Sequence, residues 1–125
     1  MAWTNYTELL VWQKAMDLTD EIYSLTKLLP SEELYGLSSQ MRRAVVSIPS
    51  NIAEGHARMQ DKDFRRYLLI AKGSNAEIET QLRICVRQQY YHNKQVEKAL
   101  ALCDEISRML TSMITGLEKK LKTQN

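Results

Sequence analysis

A chain of 125 residues with 44% hydrophobic and 26% charged residues is the size and make-up of one globular domain. Only 4 glycines and 2 prolines argue against a many-turned β sandwich, and no apolar run approaches the ~20 residues that a membrane span needs. A formal net charge of +2 is too small for a generally basic protein, so any cationic surface has to come from local segregation. The first ten residues lack the basic start and apolar stretch of a secretory signal, and two widely spaced cysteines, Cys85 and Cys103, suit a reducing compartment. The expectation is a cytoplasmic protein.

The first helix follows a cap at Asn5 or Thr7, with Asn5 and Glu8 at capping-box spacing. Val11, Ala15, Leu18, Ile22, Leu25 and Leu29 recur in steps of four and three, the spacing of one buried helix stripe. Pro30 is expected to end it. Ser31 caps a second start, with Glu32 and Glu33 at the positive end of the helix dipole and Gly36 as an interruption. Leu34, Leu37, Met41, Ala44, Val45, Ile48 and Ile52 continue an apolar face, and Gly55 reads as a stop. Pro49 lies inside this pattern. It has no N–H to give Val45's carbonyl, so a kink is expected there, with Ser47, Ser50 and Asn51 placed to bond the freed carbonyl or to hold water.

Asp61 is expected to cap a third helix, whose seam runs through Phe64, Leu68, Ala71, Asn75, Ile78, Leu82, Cys85 and Gln89. Gly73-Ser74 sits mid-helix, where glycine costs about 1 kcal/mol relative to alanine. Small residues there are expected to make room for the second helix beside Pro49. Tyr90-Tyr91-His92 turns the chain and Asn93 caps a fourth helix, with Val96, Leu100, Cys103, Leu110, Ile114, Leu117 and Leu121 as its stripe and Ser107 as a polar break. Lys119, Lys120 and Lys122 crowd its last turn, and residues 123–125 are expected to fray. Four amphipathic helices on short connections predict an all-α, antiparallel up-down-up-down four-helix bundle in a single domain, its second helix kinked at Pro49. The cysteines then sit about a turn apart in height, a poor disulfide geometry, and read as small core residues.

Chemistry of the usual catalytic kinds is missing. His56 and His92 belong to no metal-ligand motif and the cysteines lack zinc spacing. There is no phosphate-cradling glycine loop and no nucleophile elbow, so neither an enzyme nor a cofactor is expected. Glu54 is the one lone acid–base candidate, and its ordinary reading is pairing with Arg42, Arg43 or Arg58, or exposure to water. With the seam turned inward, Arg65, Arg66, Lys72, Arg83 and Arg87 point outward on the third helix, and Arg42, Arg43 and Arg58 add charge on the adjoining one. Such a strip can follow a phosphate backbone. The competing reading is a solvated face with ion pairs such as Arg42 or Arg43 with Glu77. Trp3, Leu9, Trp12, Tyr67, Leu69 and Ile70 exceed what one seam needs and suggest self-association, unless Trp12 and Tyr67 merely widen the core.

The stretch from about Leu10 to Leu117, and most specifically Ser47-Ile48-Pro49-Ser50-Asn51-Ile52-Ala53-Glu54-Gly55 and Ala71-Lys72-Gly73-Ser74, resembles bacterial four-helix-bundle proteins encoded in intervening sequences of large-subunit (23S) ribosomal RNA genes. The resemblance implies an up-down bundle assembled as a homopentamer. A related branch is the accessory variability protein of diversity-generating retroelements, whose members bind nucleic acid through a basic surface and join a reverse transcriptase. The resemblance implies no catalytic residue. Two expectations follow: an oligomeric RNA- or DNA-associated protein working through the basic strip, or a scaffold that docks a protein, such as a reverse transcriptase, without touching nucleic acid.

Overall fold

The computed structural model describes residues 4–123, so the expectations for Trp3 and for fraying at residues 124 and 125 lie outside the described residues. Four helices carry the chain: α1 (Leu10–Thr26), α2 (Leu37–Ala57), α3 (Asp61–Arg87) and α4 (Asn93–Thr123). No strand occurs among the described residues. The seams explain why. Val11, Ala15, Leu18, Ile22 and Leu25 of α1 are buried against Met41, Val45, Ile48 and Ile52 of α2, Phe64, Leu68, Ile78 and Leu82 of α3, and Val96, Ile106 and Leu110 of α4. Each fully buried side chain of this size contributes about 1.5–3 kcal/mol relative to exposure. No helix is long and apolar enough to cross a membrane among the described residues.

The pairs that touch run in opposite directions along neighbouring helices. Ser47 meets Ser74 and Met41 meets Cys85 between α2 and α3. Arg65 meets Glu118 and Asn75 meets Cys103 between α3 and α4, and Lys14–Glu105 and Lys98–Glu21 link α4 to α1. Asn75, buried within the α3 seam, donates to the carbonyl of Cys103 at 2.8 Å, a polar contact that favours this register over its neighbours. Helices α1 and α3 do not approach each other, so they are diagonal in the bundle, as are α2 and α4.

Several ends differ from the sequence expectation. Asn5 caps a 3-10 turn at Tyr6–Glu8, accepting from the Thr7 amide at 2.9 Å, and α1 starts only at Leu10. It stops at Thr26, short of Pro30, although Leu29 stays buried. Ser31 starts another 3-10 turn, Ser31–Glu33, and Gly36 precedes the true start of α2. There the Glu33 carboxylate accepts from the Leu37 amide at 3.2 Å and supplies the missing cap. Helix α2 remains helical through Pro49 and past Gly55 to Ala57. Asp61 is the first residue of α3 rather than its cap, and its carboxylate pairs with Lys120 at 3.1 Å. The α3 seam ends before Gln89, which takes φ 65° in the turn.

Both cysteines are free and buried, and burial pushes the thiol of Cys85 up to about 11 and that of Cys103 to about 12. Tyr91 closes the α3–α4 turn by donating its hydroxyl to the carbonyl of Leu25 at the end of α1.

Candidate nucleic-acid interface

The close approach between α2 and α3 is made at Gly55, not at Gly73. A Cβ on Gly55 would sit 2.6 Å from the Cβ of Tyr67 and 3.2 Å from Cδ1 of Phe64, whereas one on Gly73 would meet nothing within 4 Å. Gly73 is exposed on the outer side of α3, and its neighbour Ser74 reaches Ser47 at 2.9 Å. Asn51 donates to the carbonyl and to Oγ of Ser47, at 2.7 and 2.9 Å, rather than to the Val45 carbonyl that Pro49 frees. These contacts lock the outer seam of α2 and α3.

Tyr67 occupies the space that Gly55 leaves and is only 8% exposed. Its hydroxyl accepts from Nη2 of Arg58 at 2.9 Å and donates to Oε1 of Glu54 at 3.2 Å. Arg58 and Glu54 also pair with each other at 3.4 Å, which gives Glu54 its ordinary, ion-paired reading. Two guanidinium groups lie against the one ring, Arg66 at 4.5 Å from its centroid and Arg58 at 5.3 Å. The ring is a cation platform as well as a core residue.

The eight basic residues singled out do not form one strip. Arg42 and Arg43 are consecutive, so their side chains leave α2 about 100° apart. Arg42 turns toward α1, where Nε donates to Oγ1 of Thr26 at 2.9 Å and the guanidinium lies 5.0 Å from the Tyr23 ring centroid. Arg43 is exposed. Arg65 is spent on Glu118 of α4, with Nε at 3.0 Å and Nη2 at 2.7 Å from a single carboxylate oxygen. Arg83 pairs with Glu79 at 3.6 Å within α3. Neither Arg42 nor Arg43 reaches Glu77, which instead accepts from Gln81 at 3.4 Å. Among the described residues Arg43, Arg66, Lys72 and Arg87 form no ion pair, and neither does Lys62, an exposed cation at the start of α3. Sequence reasoning missed Lys62 and the role of Tyr67. The signal available for the latter was a glycine, Gly55, falling on the apolar stripe of α2 after Ile48 and Ile52.

The apolar surplus also divides. Tyr67 is buried and Trp12 packs partly against the core, so the widened-core reading holds for these two, and Leu9 packs there as well. Leu69 and Ile70 stay exposed on α3, at 41% and 43%. On the other side of the molecule α1 is flanked by two apolar grooves. One, of about 330 Å³, lies between Trp12 and Met16 of α1 and Val46 and Ala53 of α2. The other, of about 400 Å³, lies between Leu9 and Leu10 and Met109 and Met113 of α4. Helix α1 is also the acidic one, with Asp17, Asp20 and Glu21 against Lys14.

Fold and surface together define a small all-α bundle protein whose arginines are divided between internal ties and an open outer face. The family model for 23S rRNA-intervening sequence protein matches residues 7–112. The chain belongs to that family. Among solved structures it is similar to a protein of unknown function from the S23 ribosomal protein family of Bacteroides thetaiotaomicron, with 30% identity and a TM-score of 0.78 over 84% of this chain and 98% of that one. No curated protein matches it.

Proposed function

We propose that this protein is a non-enzymatic, cytoplasmic, oligomeric bundle that associates with RNA or DNA by holding the phosphate backbone against the outer surface of α2 and α3. The observation that carries the reading is the sorting of the cations. Arg42, Arg58, Arg65 and Arg83 have partners within the fold, while Arg43, Arg66, Lys72 and Arg87 have no carboxylate to neutralise them. A charge left open on a surface with compact internal pairing is available to an external polyanion. Assembly multiplies this: a modest +2 per chain becomes a larger field in a ring, and the family resemblance makes a homopentamer the expected stoichiometry. The grooves beside α1 are the apolar surfaces suited to that self-contact, and Leu10, which lines the one against α4, is 54% exposed.

The test is fluorescence anisotropy with labelled RNA across a salt series, beside light scattering. Binding is expected to weaken steeply with salt. Replacing Arg43, Arg66 and Arg87 together by Ala is expected to flatten the log–log salt slope by about 2–3, because each lost phosphate contact removes roughly 0.7–0.9. Arg65 is left out because it is already paired with Glu118 within the fold. Leu10→Glu is expected to give monomers with unchanged helicity. No retention on RNA even at low salt would overturn the nucleic-acid reading. If a protein such as a reverse transcriptase were then retained after nuclease digestion, the chain would be a protein-docking scaffold.

A further inference from the structure

We infer that the ligand of the corner formed by Arg66, Tyr67 and Arg58 is single-stranded nucleic acid, with a base stacked on the outer face of the Arg66 guanidinium. This rests on the nucleic-acid reading above and narrows it to one strand form. Tyr67 is fixed from behind by Gly55 and at its hydroxyl by Arg58 and Glu54, so the ring cannot swing. The Arg66 guanidinium, 4.5 Å from the ring centroid, therefore has one side covered by a rigid aromatic surface. Arg66 is an exposed residue with no carboxylate partner, so its N–H edge and its second face remain open. An open edge suits a phosphate oxygen, and an open, flat face suits a nucleobase, since guanidinium planes and aromatic rings both stack on bases.

The surroundings decide between a single strand and a duplex. Leu69 and Ile70 lie three and four residues beyond Arg66, one turn along the same face, and both are exposed. Met59, in the α2–α3 turn, is 61% exposed, and the cation Lys62 stands one turn before Arg66. Carboxylates here are Glu54, already paired with Arg58, and Asp63, which reaches no cation. A duplex hides its bases and offers phosphates alone, leaving Leu69 and Ile70 against water. A single strand presents bases that cover the aliphatic side chains while its phosphates meet Lys62 and the guanidinium edges.

The test compares a labelled 15-nucleotide RNA without self-complementarity with the same RNA in duplex form, at low salt, on the intact protein. Wild type is expected to prefer the single strand. Arg66→Lys keeps the charge and removes the plane, so it is expected to weaken single-strand binding by about 5- to 150-fold, the range for losing one stacked base. Duplex binding is expected to change less than about twofold and the salt slope to stay the same, because charge is conserved. Arg43→Lys, an exposed arginine with no aromatic neighbour, is the control and is expected to change neither. Arg66→Lys behaving like wild type, or a duplex bound as tightly as the single strand, would overturn the inference and leave the broader reading intact. Displacement of the strand by polyglutamate at equal charge would also overturn the inference, by showing a site that takes any polyanion without regard to bases. Absence of all RNA binding in the wild type would overturn both.

Discussion

Two mid-helix glycines should respond to the same substitution with opposite signs. At Gly73 an added Cβ meets nothing within 4 Å, so Gly73→Ala is expected to gain the helix propensity difference, about 1 kcal/mol. At Gly55 the new atom would stand 2.6 Å from the Cβ of Tyr67 and 3.2 Å from the Phe64 ring. Carbon atoms settle at about 3.5–4.0 Å, so α3 has to retreat by roughly 1 Å. The close neighbour is a Cβ fixed to the backbone of α3, not a side-chain tip that can rotate away. Overpacking of this kind costs about 1–3 kcal/mol. The propensity gain offsets less than about 1 kcal/mol of that, because Gly55 lies in the last turn of α2. Gly55→Ala is therefore expected to lose about 1–2 kcal/mol, a fall in Tm of roughly 3–10 °C for a domain of this size. Urea and thermal unfolding followed by circular dichroism, at matched protein concentration so that any self-association weighs equally on both, would measure the two variants. A Gly55→Ala protein as stable as wild type would refute the close-approach argument. A destabilised Gly73→Ala would refute the open-space reading of the outer face of α3.

The left-handed residues at the two helix ends give a second test. Met59 (φ 54°) and Gln89 (φ 65°) adopt a conformation that favours glycine, so Met59→Gly and Gln89→Gly are each expected to raise stability by about 0.5–1 kcal/mol in urea unfolding. Tyr91→Phe removes the donor to Leu25's carbonyl without changing ring volume, and a loss of about 1 kcal/mol is expected by the same assay. The buried thiols predict alkaline sensitivity. Their folded pKa values, about 11 and about 12, lie above the ordinary 9.0, so the folded state holds its protons more tightly. Their contribution to stability is complete below pH 9 and is lost as pH rises through 11 and 12. Urea midpoints are expected to fall across that window, and to fall less in a Cys85→Ala, Cys103→Ala protein; a midpoint that rises there would contradict the burial argument.

What the sequence made legible was whatever recurs. The stripe from Val11 to Leu25 repeats its signal every turn, so one misplaced residue cannot hide it. Ends and partners are decided by single contacts between distant residues, and no period announces those. Glu33 caps α2 and also accepts from the Tyr90 hydroxyl at 2.8 Å, 57 residues away. Arg65 looked like a free outward cation because its partner, Glu118, lies 53 residues further along. Gly55 looked like a stop because glycine often follows a helix, yet here it serves packing and the turn falls to Met59. Gly73 looked like the packing glycine because it sits mid-helix, but its position relative to the seam points it outward.

The division of labour among the helices follows from the bundle's topology. In an up-down arrangement each helix touches two neighbours and leaves one face to solvent, and the faces of α1 and α3 are on opposite corners. The acidic charge of α1 and its flanking grooves are thereby kept away from Arg66 and Lys62. A polyanion laid along α3 would not meet Asp17, Asp20 and Glu21. A contact between copies made through α1 would leave Arg66 exposed on every subunit. Segregation of this kind lets a chain of nearly balanced charge keep its unpaired cations apart from its acidic helix, since the Debye length of ~8 Å at physiological salt screens the acidic corner from the opposite one.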